Sequence, residues 1–425
     1  MVTLIKAPRG TKDLLPGEIE KWHYVEKIAR EVNEIYGYHE IRIPIFEHTE
    51  LFQRGVGDTT DIVQKEMYTF QDRGGRSITL RPEGTAGVVR AYLENHLNNQ
   101  PQPVKLYYLG PMFRYDRPQA GRMRQFHQLG IEAFGSIDPA LDMEVICYTY
   151  DFFTKLGLTN LRVLVNSVGC PQCRSDFGRA LKKFTESHRE LLCANCRGRL
   201  ERNPLRVLDC KEESCQRLLD GSPDIHDYLC GDCSSHFQQV QEYLKLTGMP
   251  FEINKKLVRG LDYYTQTVFE VTTAGPDEGS LAGGGRYSNL VETIGGVSIP
   301  GVGVAIGLER VLIALENQGV QLPLEQKKII YIATAGEDPE GKLEREAVLL
   351  LLELRKAGFA AEKDLMGRSL KAQMKFAGRL GASYVVIFGL EEIKQGRLVL
   401  RDMLKGEQLE LPRNGLVEYL KSLLN

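Results

Sequence analysis

A chain of 425 residues, 42% hydrophobic and 26% charged, has the balance of a globular protein of two or three domains and excludes disordered, collagen-like and fibrous architectures. With 54 basic against 56 acidic residues and a net charge of -2, a generally cationic nucleic-acid binder is also excluded, so any such contact has to be local. The absence of a long uninterrupted apolar run and of an apolar signal core in residues 1–10 leads us to expect a soluble, cytoplasmic protein with no membrane contact.

Residues 9–16 have loop chemistry, and Ile19, Trp22, Val25, Ile28, Ala29, Val32 and Ile35 recur at helical spacing, which predicts a helix over 17–36. Residues 39–44 alternate like an edge strand closed by Pro44. A short strand at 78–80, a turn at 81–85 and a helix at 86–97 follow. Two extended stretches, 104–116 and 124–135, form a long hairpin with a basic tip at 117–123. Strands at 161–165 and 256–272 enclose a cysteine-rich segment, so the sheet is expected to be largely antiparallel and assembled from distant segments. After a linker at 318–326, strands at 329–333 and 384–389 alternate with helices at 343–356 and 370–380. The predicted fold is an α+β core whose antiparallel sheet is flanked by helices (1–169 and 250–322), a small helical cysteine-rich insertion (170–249) and a C-terminal α/β domain (328–425).

Period-two geometry sorts the second hairpin strand. Arg124, Phe126, Gln128, Gly130 and Glu132 share one face, while Gln125, His127, Leu129 and Ile131 share the other. A cation, an aromatic plate, an amide and a carboxylate in line suit a nucleotide carrying an amino acid, and Arg114 on the partner strand can face the same place. The plainer alternative is a solvated face with ordinary cross-strand ion pairs. A second cluster, Leu257-Val258-Arg259-Gly260-Leu261-Asp262-Tyr263-Tyr264, puts Arg259 and Tyr264 on opposite faces of a regular strand, so both serve one pocket only if the strand breaks near Gly260. Of the two glycine-rich runs, Ala282-Gly283-Gly284-Gly285-Arg286-Tyr287 and the stretch 301–310, the second lacks the sixth-position glycine of a dinucleotide fingerprint and opens no parallel βαβ unit. It reads as a strand entering a helix with Arg310 at the junction, where a guanidinium can contact phosphate and cover a base.

Taken together, these words resemble the histidyl-tRNA synthetases, a family of class II aminoacyl-tRNA synthetases, over essentially the whole chain. The three class motifs are similar to residues 41–51 with Pro44, 109–135 and 301–310, and two histidine-specific signatures are similar to 257–264 and 282–287. The resemblance implies ATP-dependent conversion of L-histidine to histidyl-adenylate and its transfer to tRNA(His), with Mg2+ on the β and γ oxygens, by a homodimer. It implies that Arg114 and Arg259 flank the α-phosphate as the catalytic pair, Arg259 standing where relatives commonly place a metal ion. Arg310 is then expected at the γ-phosphate and the adenine face, Phe126 stacked on adenine, and Arg122 and Arg124 at the outer phosphates. Glu83, Thr85 and Gln128 are expected around the α-ammonium, Glu132 and Tyr264 at the two edges of the imidazole, Tyr287 in the same pocket, and Gln119 at the tRNA acceptor end.

Eight of the nine cysteines fall in the insertion as Cys170/Cys173, Cys193/Cys196, Cys210/Cys215 and Cys230/Cys233. Structural zinc is the reading, against reduced thiols packing a small helical insert. The first two pairs have zinc-ribbon spacing and the last two can make another site; interleaved pairing is equally open. By family position the module would hold a lid against the tRNA acceptor arm. The C-terminal domain resembles the family's anticodon-binding domain, and Lys371, Lys375 and Arg379 form a stripe that suits phosphate or plain solvation. The alternatives to an enzyme are a non-catalytic, synthetase-like histidine-sensing regulatory subunit of histidine biosynthesis and a zinc-stabilised nucleic-acid adaptor. The first would lack the full set of arginines and the terminal domain.

Overall fold

The computed structural model describes residues 4–58, 60–273, 279–324 and 328–424. Two compact units, Met1–Leu322 and Pro323–Asn425, divide the chain. Part of the expected linker, residues 325–326, lies outside the described residues.

The first unit is built on an eight-stranded sheet. Its order is His39–Glu40, Val104–Phe113, Gln125–Phe134, Gly301–Gly307, Ser280–Arg286, Thr265–Thr273, Leu161–Ser167 and Glu252–Ile253. The six central strands are antiparallel and the short edge strands pair in parallel. Alternation decides the faces as expected: Leu129, Ile131, Val302, Val304 and Val271 enter one core with Trp22, Val25 and Ile28 of the helix Ile19–Tyr36. The same core takes Val145, Ile146 and Phe152 from the helix Pro139–Lys155, which the sequence reading did not single out although Asp138 caps it by accepting from Ala140 N at 2.9 Å.

Two expected strands are shorter than their alternation suggests. Pairing from His39 stops at Glu40, because the carbonyls of Ile43 and Pro44 are taken by the buried Arg81 guanidinium, at 2.7 and 3.3 Å, instead of by a neighbouring strand. The strand expected over 256–272 begins only at Thr265, so Leu257 to Tyr264 is a loop rather than a bulged strand. A small three-stranded sheet, Phe46–His48, Ser77–Leu80 and Tyr68–Gln71, stands beside the main one.

The cysteine-rich insertion contributes the helices Pro171–Glu186, Ala194–Arg202 and Glu213–Leu219 around a core of its own, with Phe177, Leu181, Leu200 and Leu219. Its last helix, Gly231–Leu246, returns Phe237, Val240 and Leu244 to the main core. The second unit has a five-stranded sheet in which Ala360–Lys363, Ile329–Ala335 and Ala382–Gly389 are parallel and Arg397–Asp402 and Gln408–Pro412 are antiparallel additions. Apolar clusters cover both faces of that sheet. Lys371, Lys375 and Arg379 are all exposed on its helix Leu370–Leu380. Among the described residues no helix is long and apolar enough to cross a membrane.

Candidate active site

A cavity of 500 Å³ opens on the sheet face opposite the opening helix, and Arg114, Arg122, Phe126, Gln128, Arg259, Tyr264 and Arg310 all line it together with Glu83 and Thr85. These residues come from separate stretches of chain, brought together by strand register. Arg114 follows the first hairpin strand; its Nε donates to Pro82 O at 2.7 Å and its guanidinium lies 5.4 Å from the centre of the Phe126 ring. Arg310, at the start of the helix Leu308–Asn317, donates to Ser280 O at 2.6 Å and Gly121 O at 3.3 Å, tying the hairpin tip to the glycine-rich strand. Burial, then the nearby Arg122 and also Arg114 and Arg259, pushes down the proton affinity of Arg310. Mutual repulsion of this kind between gathered guanidinium groups is the electrostatic signature of a site shaped for a polyanion.

The glycines explain how Arg259 fits. Gly283 pairs with Ala305 on one side and Glu270 on the other. Arg259 Nη1 donates to Glu270 Oε2 at 3.1 Å, and its guanidinium lies over Gly283 so closely that a Cβ there would fall 1.7 Å from Nη2. A side chain at Gly303 would in turn meet Glu132 Oε2 at 2.0 Å. The glycine-rich runs are therefore the bare floor on which charged groups rest. Among the described residues Arg259 Nε and Gln128 Oε1 are buried without a partner, which leaves one donor and one acceptor for a ligand.

Deeper in, Glu83 accepts from Thr85 N and Ala86 N, at 2.8 and 2.9 Å, where the helix Thr85–Glu94 begins. Thr85 Oγ1 donates to Glu132 Oε1 at 2.7 Å, and Tyr287 OH donates to the other oxygen of the same carboxyl. Burial raises the Glu132 carboxyl to about 8, against the pull of those two hydroxyls and with Glu83 adding to the rise. Folded protein thus holds a proton that unfolded protein, at the ordinary 4.5, has released, so this group's contribution is full below 4.5 and is lost as pH rises through about 8. The ligand-free Glu132→Gln chain is accordingly expected to gain on wild type in urea midpoint steadily between pH 5 and 8.5; a constant difference across that range would show that Glu132 is already ionised.

Not every expected residue reaches the cavity wall. Arg124 stacks on Tyr115 at 3.8 Å from the ring centre, and its amide bonds Gly10 O at 2.7 Å, so it fastens the hairpin to the N-terminal loop. Gln119 is exposed at the hairpin tip, paired through its backbone with Arg122. Glu132 and Tyr287, each 1% exposed, stand behind the lining, with Tyr287 bonded to Glu132. Glu270, Tyr263 and the insertion residues Arg199 and Arg206 had not been singled out for this site: Glu270 anchors Arg259, and the others line the cavity. Strand alternation carried the signal for Glu270, whereas nothing local marks the insertion pair.

The thiols form two groups. Cys170, Cys173, Cys230 and Cys233 make one and Cys193, Cys196, Cys210 and Cys215 the other, with all sulfurs of a group within 4.8 Å of one another. Pairing is therefore nested, and the expected union of the first two pairs, like an interleaved one, is corrected. The packing of Pro171–Glu186 beside the turn Ile225–Tyr228 closes the outer pairs together. Sγ separations of 3.5 Å for Cys170–Cys173 and 3.9 Å for Cys193–Cys210 match the edge of about 3.8 Å of a tetrahedron with metal–sulfur bonds of about 2.3 Å. The Cys230 and Cys193 amides donate to Cys173 and Cys215 sulfur at 3.1 and 3.2 Å.

Comparison with known proteins agrees with this geometry. The family model described as histidyl-tRNA synthetase matches residues 10–173 and 209–311, and that described as an anticodon binding domain matches 326–423. The chain is 56% identical over 420 residues, 99% of each chain, to the histidine–tRNA ligase of Desulforamulus reducens. It is 57% identical, over 98% of each chain, to that of Pelotomaculum thermopropionicum. The crystal structure of the apo S. aureus histidyl-tRNA synthetase superposes with a TM-score of 0.82 at 41% identity, covering 98% of this chain and 99% of that one.

Proposed function

Because the chain belongs to the histidyl-tRNA synthetase family of class II aminoacyl-tRNA synthetases, we propose how its own residues divide the work of that reaction. Its activity is that of a histidine–tRNA ligase: ATP activates L-histidine to histidyl-adenylate with release of pyrophosphate, and the histidyl group is then transferred to the 3′ end of tRNA(His) as AMP leaves. Full-length identity to catalytic relatives sets the regulatory-subunit alternative aside.

Arg114 and Arg259 act as the catalytic pair, one on each side of the α-phosphate. The observation that carries this is their meeting, with Arg310, in a single cavity. A carboxylate oxygen of histidine attacks the α-phosphorus in line while the bond to the pyrophosphate oxygen breaks; two fixed guanidinium groups stabilise the charge there with no proton changing place. Arg310 and Arg122 receive the outer phosphates, and Phe126 offers its ring to adenine. Mg2+ enters with ATP as part of the substrate. Glu83, Thr85 and Gln128 take the α-ammonium. Tyr264 and the Thr85-bonded Glu132 read the imidazole, and Tyr287 works from behind by orienting Glu132. Arg124 and Gln119 then belong to the hairpin's approach to the acceptor end. Histidine-dependent exchange of pyrophosphate into ATP is the test: exchange that no other amino acid supports is expected, and its absence with histidine, ATP and Mg2+ present overturns the assignment.

Residues 170–249 are read as the insertion and 328–425 as the anticodon-binding domain. The two thiol groups are read as structural zinc sites, supported by their nested, tetrahedron-sized spacing. Protein purified without chelator is expected to carry close to two zinc equivalents, and fewer than about half an equivalent sinks the zinc reading. A homodimer is supported by Ile45 and Phe46, which lie in the first class motif 46% and 57% exposed. Cytoplasmic location fits a substrate that is tRNA.

A further inference from the structure

The loop from Leu257 to Tyr264 brings both Arg259 and Tyr264 to the cavity, yet it belongs to no strand. With no ladder, its carbonyls take donors from elsewhere: Asn166 Nδ2 serves Leu257 O at 2.9 Å, and the cysteine-rich insertion serves the part nearer the cavity. Arg174 Nη1 donates to Tyr264 O at 2.6 Å and to Asp262 O at 3.3 Å. Arg206 Nη1 donates to Gly260 O at 2.6 Å, and Asn203 Nδ2 to the Asp262 carboxylate at 2.9 Å. Each donor sits beside one thiol group: Arg174 directly follows Cys173 of the outer group, and Asn203 and Arg206 lie between Cys196 and Cys210 of the inner group.

We propose that Arg174, Asn203 and Arg206 are positioning residues for histidine activation itself, and that the two thiol groups, by fixing the segments that carry them, hold the Arg259 loop in its working shape. This deepens the assignment above, resting on the cavity as the site of adenylation and on the thiols as zinc ligands. The insertion then does more than meet the acceptor arm of tRNA. A segment with no ladder loses conformational entropy when it is fixed, and the Arg174 guanidinium, whose Nη1 serves two carbonyls two residues apart, is suited to hold it. Among the described residues one anchor, Glu270, holds the Arg259 guanidinium from the sheet side. The bond from the Arg206 side chain to the Gly260 carbonyl, one residue further along, determines where the loop stands above that anchor. Arg174 makes the cleaner probe, because it does not line the cavity and reaches the site only through loop backbone.

The experiment is pyrophosphate exchange with histidine, ATP and Mg2+ and without tRNA, on full-length Arg174→Met, Arg206→Met and Arg206→Lys, with zinc content and amide hydrogen exchange measured on the same samples. Misplacement by about 1 Å costs on the order of 100-fold, so Arg174→Met is expected to lose on the order of 10–100-fold in kcat/KM for histidine. Zinc content should stay at the wild-type value, and faster amide exchange should be confined to residues 257–264. Arg206→Lys should recover part of what Arg206→Met loses. Wild-type protein stripped of zinc should show the same tRNA-independent defect and the same local exchange. If the variants and the stripped protein exchange pyrophosphate within twofold of wild type and fail only in charging tRNA, the proposal is overturned while the adenylation site stands. A wild-type chain that exchanges no pyrophosphate refutes the adenylation site instead, and one that holds no zinc refutes the metal reading alone.

Discussion

Replacing Arg259 by methionine is expected to lower kcat for histidine-dependent pyrophosphate exchange by about 10²–10³-fold, the usual cost of removing one preorganised donor from a charge-developing centre. Its guanidinium already commits one edge to Glu270 while Nε has no partner among the described residues. A lysine cannot divide itself between an anchor and a phosphate in that way, because its ammonium is a point charge on a flexible stem. Arg259→Lys should therefore rescue little. Gly283→Ala should reproduce much of the loss without touching any charge, since the new Cβ would fall 1.7 Å from Arg259 Nη2 and 2.1 Å from Cζ. Steady-state exchange kinetics on the three variants check this. Activity near wild type in Arg259→Met would mean that Arg114 and Arg310 suffice, and the paired-guanidinium account would fall.

The second large effect is on stability. Arg286, from the second histidine-specific signature, is 1% exposed and makes a forked pair with Asp142, whose accessibility is 0% at the side chain. The same guanidinium donates to Ser136 O at 2.7 Å and Asp138 O at 3.2 Å, and His236 Nε2 lies 3.3 Å from Asp142. Burial by itself would raise the Asp142 carboxyl, but Arg286 and His236 together hold it below the ordinary range. Asp142→Ala removes the partner and leaves the guanidinium charge buried, an arrangement that costs about 3–5 kcal/mol. Against the usual total of about 5–15 kcal/mol, that is enough to drop the urea midpoint steeply or to leave the protein insoluble at 37 °C. The double change Asp142→Leu with Arg286→Met should recover much of the loss, because no charge is then stranded. Equal midpoints for Asp142→Ala and wild type would show that water reaches the pair.

The faces of the hairpin were legible because alternation leaves no freedom: once Leu129 and Ile131 are core, Phe126 and Gln128 must face the other way. Arg286 was visible as part of a signature, but its pairing with Asp142 was not, since 144 residues separate them and only the helix Pro139–Lys155 brings them together. The loop state of residues 257–264 was half legible. Opposite-face placement of Arg259 and Tyr264 demanded a break, but whether a bulge or a full loop met that demand depended on donors from Arg174 and Arg206 in a different part of the chain.

The cysteines draw the same line. Four pairs of cysteines at metal-ligand spacing point to metal from the sequence alone. Which pair meets which is a matter of loop closure, and several closures satisfy the same spacing. The helix Pro171–Glu186 packs beside the turn Ile225–Tyr228, bringing Cys170 and Cys173 against Cys230 and Cys233, and the inner four are left to each other. What the amino-acid order determined by itself is whatever acts over a few residues: helical and strand periods, the side of a strand on which a charge stands, the chemistry of a signature word. What only the tertiary structure decided is how segments far apart in the chain converge, because those contacts are selected by the packing of whole elements and leave no local pattern to read.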